Sequence, residues 1–307
     1  MQIDLHLSAD TFIHSHCRAL ATHPGYDLVG AVEPVEERRA AFERQYHRPS
    51  VANLADGLAQ LAPELVVVSV PTQLHAGMIE QILALAVPRA IVCEKPLALD
   101  LTEAREMVER CEAAGVALYV NYIRQSQPGV KDIAAKLASG EIATPLKGVA
   151  WYSKGLFNNG SHFVTLLQHW LGPLASFQVT SAAPNWRGSD PEPDVVLRFR
   201  DGVVHLLAAR EEDYSHYGIE LVSPSGRLRY DDGGNSILWQ PAIESPDFPG
   251  YRTLSPMPQN IAVGLNQIQW HVFDEILADL DGRSASICTG RQALTVLEQL
   301  AAIRDAL

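Results

Sequence analysis

The chain has 307 residues, 47% of them hydrophobic and 20% charged, with a formal net charge of −12 and a pI near 5.3. That length accommodates two domains of ordinary size, each with its own core, and the composition is that of an ordered globular protein. The acidic balance argues against a nucleic-acid or anionic-membrane surface, where a basic patch would dominate affinity.

The early part of the chain alternates short apolar runs with longer amphipathic ones. Residues 3–7, 28–32, 65–70, 90–93 and 117–120 read as strands, and the β-branched, nearly continuous runs among them predict parallel strands buried on both faces. Helical patterns fall between them at 13–21, 35–46, 72–86 and 101–114. Asp100 or Thr102 can cap the last of these and Gly115 can stop it. The fold class is therefore α/β: residues 1–121 are expected to form a Rossmann-like doubly wound parallel sheet, whose ligands sit beyond the carboxyl ends of the strands.

After a further helix at 129–139 the pattern changes. Residues 195–199 and 203–209 read as a hairpin through Asp201-Gly202, and 221–223 and 228–230 flank Pro224-Ser225-Gly226. Another strand is expected at 237–239, while the proline-rich stretch 241–258 reads as an irregular loop. Helices at 161–171, 268–280 and 291–307 complete an expected C-terminal α/β domain, residues 122–307, with an open antiparallel sheet; the closing helices are candidates to pack back on the first domain. Leu206, Leu207, Ile237 and Trp239 are expected on the wet face of that sheet, as an interface for a homo-oligomer. Four scattered cysteines, Cys17, Cys93, Cys111 and Cys288, lack metal-type pairing, so reduced thiols, no metal and a cytoplasmic location are expected. No basic leader precedes a long apolar run, and no stretch approaches the ~20 apolar residues of a membrane span.

Four segments can carry chemistry. Glu94-Lys95-Pro96 directly follows a buried strand, and a partly desolvated lysine there can exchange hydrogen bonds or a proton with a substrate oxygen. The plainer reading is a surface Glu-Lys pair ahead of a helix. Pro71-Thr72-Gln73-Leu74-His75 follows the valine-rich strand, where a helix N-terminus suits a cofactor phosphate or ribose, although His75 could simply lie on a helix surface. Glu33 ends the second strand, where an acid can bind adenosine ribose hydroxyls, or else it is one more charge at a helix start. In Asn158-Asn159-Gly160-Ser161-His162, the residues four apart, Asn158 and His162, share a helix face, and a histidine can exchange a proton with a hydroxyl. The alternative is a helix cap with a packed histidine.

Taken with Asn121-Tyr122-x-Arg124, these segments resemble the glucose–fructose oxidoreductase, inositol dehydrogenase and MocA (Gfo/Idh/MocA) family of NAD(P)-dependent sugar and polyol oxidoreductases. The resemblance implies hydride transfer between a nicotinamide and a sugar or polyol carbon. It makes Lys95 the residue that positions and polarises the reacting oxygen, His162 the general acid/base, and Tyr122, Arg124 and Lys154 contributors to the substrate pocket. It also implies cofactor contacts from Glu33, Pro71, Thr72, His75 and Glu94, and dimers or tetramers. Glu33 favours NAD over NADP.

Two departures stand out. The glycine-rich turn falls on residues 8–13, with Ser8, Asp10 and Ile13 at the glycine positions and Phe12 within the turn. Asp10 would set a carboxylate beside the pyrophosphate. Two unit charges ~5 Å apart at an effective dielectric of 20 repel by roughly 3 kcal/mol, about a hundredfold in affinity. Asn158 stands where the family usually has an aspartate, so an amide replaces a charge. A non-catalytic member retained as a sugar-binding or assembly subunit is the competing reading, and a non-redox elimination or epimerisation through Lys95 and His162 is a third.

Overall fold

The computed structural model describes residues 8, 11–182, 184–209 and 214–307. The expected first strand, residues 3–7, and Asp10 lie outside them. The chain divides into two compact units, Met1–Ile123 with Asn266–Leu294, and Arg124–Leu265 with Thr295–Leu307.

The strands are β1 (Ala31–Val32), β2 (Ser50–Val51), β3 (Leu65–Val68), β4 (Ala90–Cys93), β5 (Ala117–Val120), β6 (Leu146–Tyr152), β7 (Leu174–Ser181), β8 (Asn185–Trp186), β9 (Asp190–Pro191), β10 (Asp194–Phe199), β11 (Gly202–Ala208), β12 (Gly218–Ser223), β13 (Gly226–Asp231), β14 (Ser236–Glu244), β15 (Arg252–Leu254) and β16 (Gln259–Ile261). The helices are α1 (His16–Thr22), α2 (Glu36–Tyr46), α3 (Leu54–Leu61), α4 (His75–Leu85), α5 (Leu101–Ala113), α6 (Pro128–Ala138), α7 (Ser161–Leu171), α8 (Ile268–Leu280) and α9 (Gly290–Asp305).

In the first unit β3, β4 and β5 form a parallel sheet in that order, and β1 and β2 pair in parallel. Every residue of β4 is buried, as expected of a continuous apolar run with both faces covered. Asp100 caps α5, its Oδ1 accepting from the Thr102 amide at 2.7 Å and the Glu103 amide at 3.2 Å. Gly115 follows the helix at φ +68°. Ile13 was expected to open α1. The helix starts three residues later instead, and Ile13 is a core residue, 5% exposed among Ala19, Val92 and Phe273. Helix α8 supplies Val272, Phe273 and Ile276 to that same core.

The second unit is built on a nine-stranded sheet, in the order β15-β14-β13-β12-β6-β11-β10-β7, with β16 also on β14. It was expected to be an open antiparallel sheet; its other pairings are antiparallel, and β6 and β11 run parallel at its centre. The Asp201-Gly202 hairpin forms as expected, with Phe199 opposite Gly202. One face packs on α6 and α7 through Val130, Phe163, Leu166 and Trp170. Leu206, Ile237 and Trp239, expected on the wet face, belong to this core at 0–1% exposure. Alternation along β11 puts only Leu207 of that set on the opposite face. Part of the stretch expected as a loop at 241–258 is strand, because Pro241 lacks only its amide: its carbonyl still accepts from the Ser255 amide at 2.8 Å. No helix among the described residues is long and apolar enough to cross a membrane.

Candidate active site

The parallel ladder carries Glu94 and Asn121 side by side past the strand ends. The Glu94 amide bonds to the Val68 carbonyl at 3.0 Å and the Asn121 amide to the Cys93 carbonyl at 2.8 Å. The Glu94 Oε1 then receives His16 Nε2 at 2.7 Å and Asn121 Nδ2 at 2.9 Å, and Asn121 Nδ2 also reaches Gln269 Oε1 at 3.1 Å. Burial pushes the Glu94 carboxyl up. The bonds and charge from His16, with those from Asn121 and the Lys95 amide, outweigh it and hold the carboxyl below its ordinary value. Glu94 is thus an ionised anchor, and half-buried Lys95 follows it at the carboxyl edge. Cys93, Cys111 and Cys288 are buried, and burial pushes the Cys111 thiol up to about 11, which removes these thiols from nucleophilic chemistry.

His75, expected among the cofactor contacts or on a helix surface, is neither. It is 1% exposed, with Nδ1 3.0 Å from the Leu97 carbonyl and Nε2 3.0 Å from the Val70 carbonyl. The ring clasps the turn after β3 to the turn after β4. A neutral ring donates to one carbonyl at a time and a protonated ring to both. His75→Ala leaves buried carbonyls without partners and is expected to cost about 3 kcal/mol, read as a lower urea midpoint with an unchanged slope. An unaltered midpoint would show the clasp to be energetically idle.

Pro71 and Thr72 begin the turn that leads into α4, and Thr72–Leu74 is a single 3-10 turn. Glu33 follows β1 and keeps capacity for a ligand: among the described residues its Oε1 accepts from the Val35 amide, at 3.0 Å, and its Oε2 lies 3.9 Å from the Arg38 guanidinium. A nicotinamide dinucleotide therefore fits at the ribose corner and at the Glu94–Lys95 edge. At the diphosphate turn the described residues offer less. The amides of Thr11 and Phe12 bond to the Ser8 carbonyl at 3.2 and 2.9 Å, and that of Ile13 to the Asn266 carbonyl at 2.8 Å.

Tyr122, expected in the substrate pocket, is 3% exposed in the first unit. Of the other residues expected at the substrate, Lys95 lies in the first unit, and Arg124, Lys154 and His162 lie in the second. Arg124 Nη1 donates to Tyr230 Oη at 2.8 Å and to the Gly233 carbonyl, and the guanidinium lies over the Phe163 ring at 5.7 Å. It lines a cleft of about 760 Å³ with Trp151, His216, Tyr217, Asp232 and Asn235. Lys154 takes a left-handed conformation, φ +63°, and its carbonyl accepts Asn158 Nδ2 at 3.0 Å. Partly buried His162 is the second residue of α7. His16, Gln269, Asp190 and Glu192 carry no local signal in the sequence, since each meets its partner across a long stretch of chain. The two acids accept from backbone amides at the start of this same segment. Burial pushes the Asp190 carboxyl up despite the amides of Phe157, Asn158 and Leu156, with the Glu192 charge adding to the rise.

Residues 10–122 match the family described as an oxidoreductase family with an NAD-binding Rossmann fold. Over these residues the chain is similar to the Gfo/Idh/MocA family. The D-apiose dehydrogenase of Paraburkholderia graminis is 32% identical over 143 residues, 45% of this chain and 36% of that protein. The myo-inositol dehydrogenase of Streptomyces leeuwenhoekii is 28% identical over 111 residues, 35% of this chain and 34% of its own length. The chain thus spans about a third of these curated relatives. Solved structures extend the likeness in fold to nearly the whole chain. An NAD binding oxidoreductase from Klebsiella pneumoniae superposes with TM-score 0.76 at 16% identity, covering 97% of this chain and 92% of that one. The WlbA dehydrogenase from Bordetella pertussis, in complex with NADH and UDP-GlcNAcA, gives 0.73 at 21% identity, covering 95% and 91%.

Proposed function

We propose that this chain is an NAD-dependent dehydrogenase of a sugar or polyol hydroxyl. The observation that carries the reading is the anchored Glu94, fixed by His16 and Asn121 where β4 delivers Lys95. When bound, the nicotinamide supplies the hydride acceptor. Lys95 donates a hydrogen bond to the substrate oxygen and stabilises negative charge as it develops there. His162 accepts the hydroxyl proton as the carbonyl forms, and returns it in the reverse direction. Lys154 and Arg124 hold the remaining hydroxyls, and Glu33 takes the ribose hydroxyls and sets the preference for NAD. The plain reading of Glu94 and Lys95 as a surface pair is disfavoured by the bonding of Glu94 to His16 and Asn121.

The engaged amides of Thr11, Phe12 and Ile13 favour a second reading, a fold kept for sugar binding or assembly without turnover. Calorimetric titration with NAD, NADH and NADPH separates the two. Measurable but weak binding of NAD is expected, tightening about a hundredfold in Asp10→Gly as one repelling carboxylate is removed. Absence of heat with all three nucleotides would sink the dehydrogenase.

A further inference from the structure

Strand β6 ends at Tyr152, and the chain must then turn sharply into α7. It does so through Lys154 at φ +63° and Gly155 at φ +90°. Two successive left-handed residues, one of them a lysine, are a conformation that surroundings must hold in place. A single π turn, Leu156–Gly160, follows and runs directly into α7. The opening amides of a helix have no partner within it. Here they are met from β9 and the residue after it. Phe157 and Asn158 donate to the two oxygens of Asp190, each at 2.9 Å, and Gly155 donates to Glu192 Oε1 at 3.0 Å. Glu192 is 5% exposed, so its carboxylate is desolvated for the sake of this bond. The fit at Gly155 is close: a Cβ there would stand 2.1 Å from Asp190 Oδ2, so both its φ and its neighbour demand glycine.

We propose that Asp190 and Glu192 are positioning residues that lock this corner and through it set the placement of Lys154, Asn158 and His162. The proposal rests on the reading of His162 as the proton acceptor. Lys154, Asn158 and His162 are spaced by four residues along the locked segment, and Asn158 Nδ2 already ties back to the Lys154 carbonyl. Asp190 holds the backbone at Asn158, the residue that brings an amide in place of a charge. A carboxylate is therefore invested in this turn through the backbone.

The test uses the full chain in three variants, Asp190→Asn, Glu192→Gln and Gly155→Ala. Asp190→Asn puts an NH₂ against one of the two amides. It is expected to lower kcat by about 10- to 100-fold while the KM and the calorimetric Kd for NAD stay within about twofold. Glu192→Gln keeps an acceptor oxygen for the Gly155 amide and is expected to retain most of kcat. Gly155→Ala repeats the Asp190→Asn loss by displacing the same carboxylate. Two readouts do not require turnover. Amide exchange at Phe157 and Asn158 is expected to quicken in Asp190→Asn while that at Leu166 and Leu167 is unchanged, and the midpoint of the His162 ring resonance on pH titration is expected to move. An Asp190→Asn protein with wild-type kcat, exchange and His162 midpoint overturns the proposal, as does exchange that quickens uniformly along α7, which would mark a helix cap and nothing more. If the wild type oxidises no polyol, the assignment of His162 falls, while exchange and the ring resonance still decide whether the corner is locked.

Discussion

Lys95→Ala is expected to lower kcat on any sugar or polyol substrate by about 10³- to 10⁴-fold, near the upper range for loss of a positioned acid–base or hydrogen-bonding group. The backbone should survive the change. Glu94 is held by His16 and Asn121, and two residues beyond Lys95 the Leu97 carbonyl is held by His75, so the turn keeps its anchors on both sides. NAD binding should accordingly change little, and the loss should fall on kcat and kcat/KM together, the pattern for an interaction made chiefly in the transition state. Lys95→Arg tests the geometry, since a guanidinium keeps the charge but is bulkier and cannot serve as a proton carrier near neutrality. Steady-state rates with calorimetric Kd values decide the matter. Turnover within about tenfold of wild type in Lys95→Ala would remove the lysine from the mechanism.

Glu33→Ala is expected to raise the ratio of NADP to NAD specificity by about a hundredfold. The Glu33 side chain is 28% exposed, and Arg38, 73% exposed, lies 3.9 Å away. A 2′-phosphate set ~5 Å from the carboxylate at an effective dielectric of 20 meets roughly 3 kcal/mol of repulsion per unit charge, of which solvent screening removes a part. Removing the carboxylate ends that repulsion, deletes the acceptor for the 2′-hydroxyl of NAD, and leaves Arg38 without its acidic neighbour and open to a phosphate. The two effects act in opposite directions on the two cofactors, so the ratio moves more than either constant. Paired kcat/KM measurements with each nucleotide are the check. A ratio unchanged within about threefold would show that the ribose corner lies elsewhere.

The elements legible in the sequence are those whose pattern is local. Strand β4 is a continuous apolar run, and α8 matches its expected bounds because its apolar residues recur at helical spacing through Val272, Phe273 and Ile276. Helix α3 escaped notice, though Asn53 caps it by accepting the Asp56 amide at 2.9 Å. It has only eight residues, with Gly57 inside. Strand β6 is masked by alternation and by Gly148, which is there because a Cβ would stand 1.9 Å from the Glu220 carbonyl of the neighbouring strand.

The site divides along the same line. Glu94-Lys95-Pro96 is readable because a strand end predicts where its neighbours in sequence will sit. His75 was visible as a residue, but its use was hidden, because the carbonyls it holds belong to turns that no periodicity describes. Asp190 and Glu192 are harder still. They lie more than thirty residues from the amides they meet, and only the excursion through β8 and β9 between two sheet strands brings them back.

The allotment of Asn266–Leu294 to the first unit bears on the order in which the chain can fold during its own synthesis. A ribosome releases residues 1–123 before 124–265, yet the core they join lacks Val272, Phe273, Ile276 and Ile287 until residues 266–294 have also emerged. Residues 124–265 come out in between and carry most of their own core, from Val130 to Trp239. The nucleotide-binding unit, although first to be made, is thus completed late, and domain-by-domain assembly from the N-terminus is not open to it. Until then the faces that α8 will cover, around Ala19, Ala90 and Tyr119, are apolar surface exposed to whatever else the cell offers.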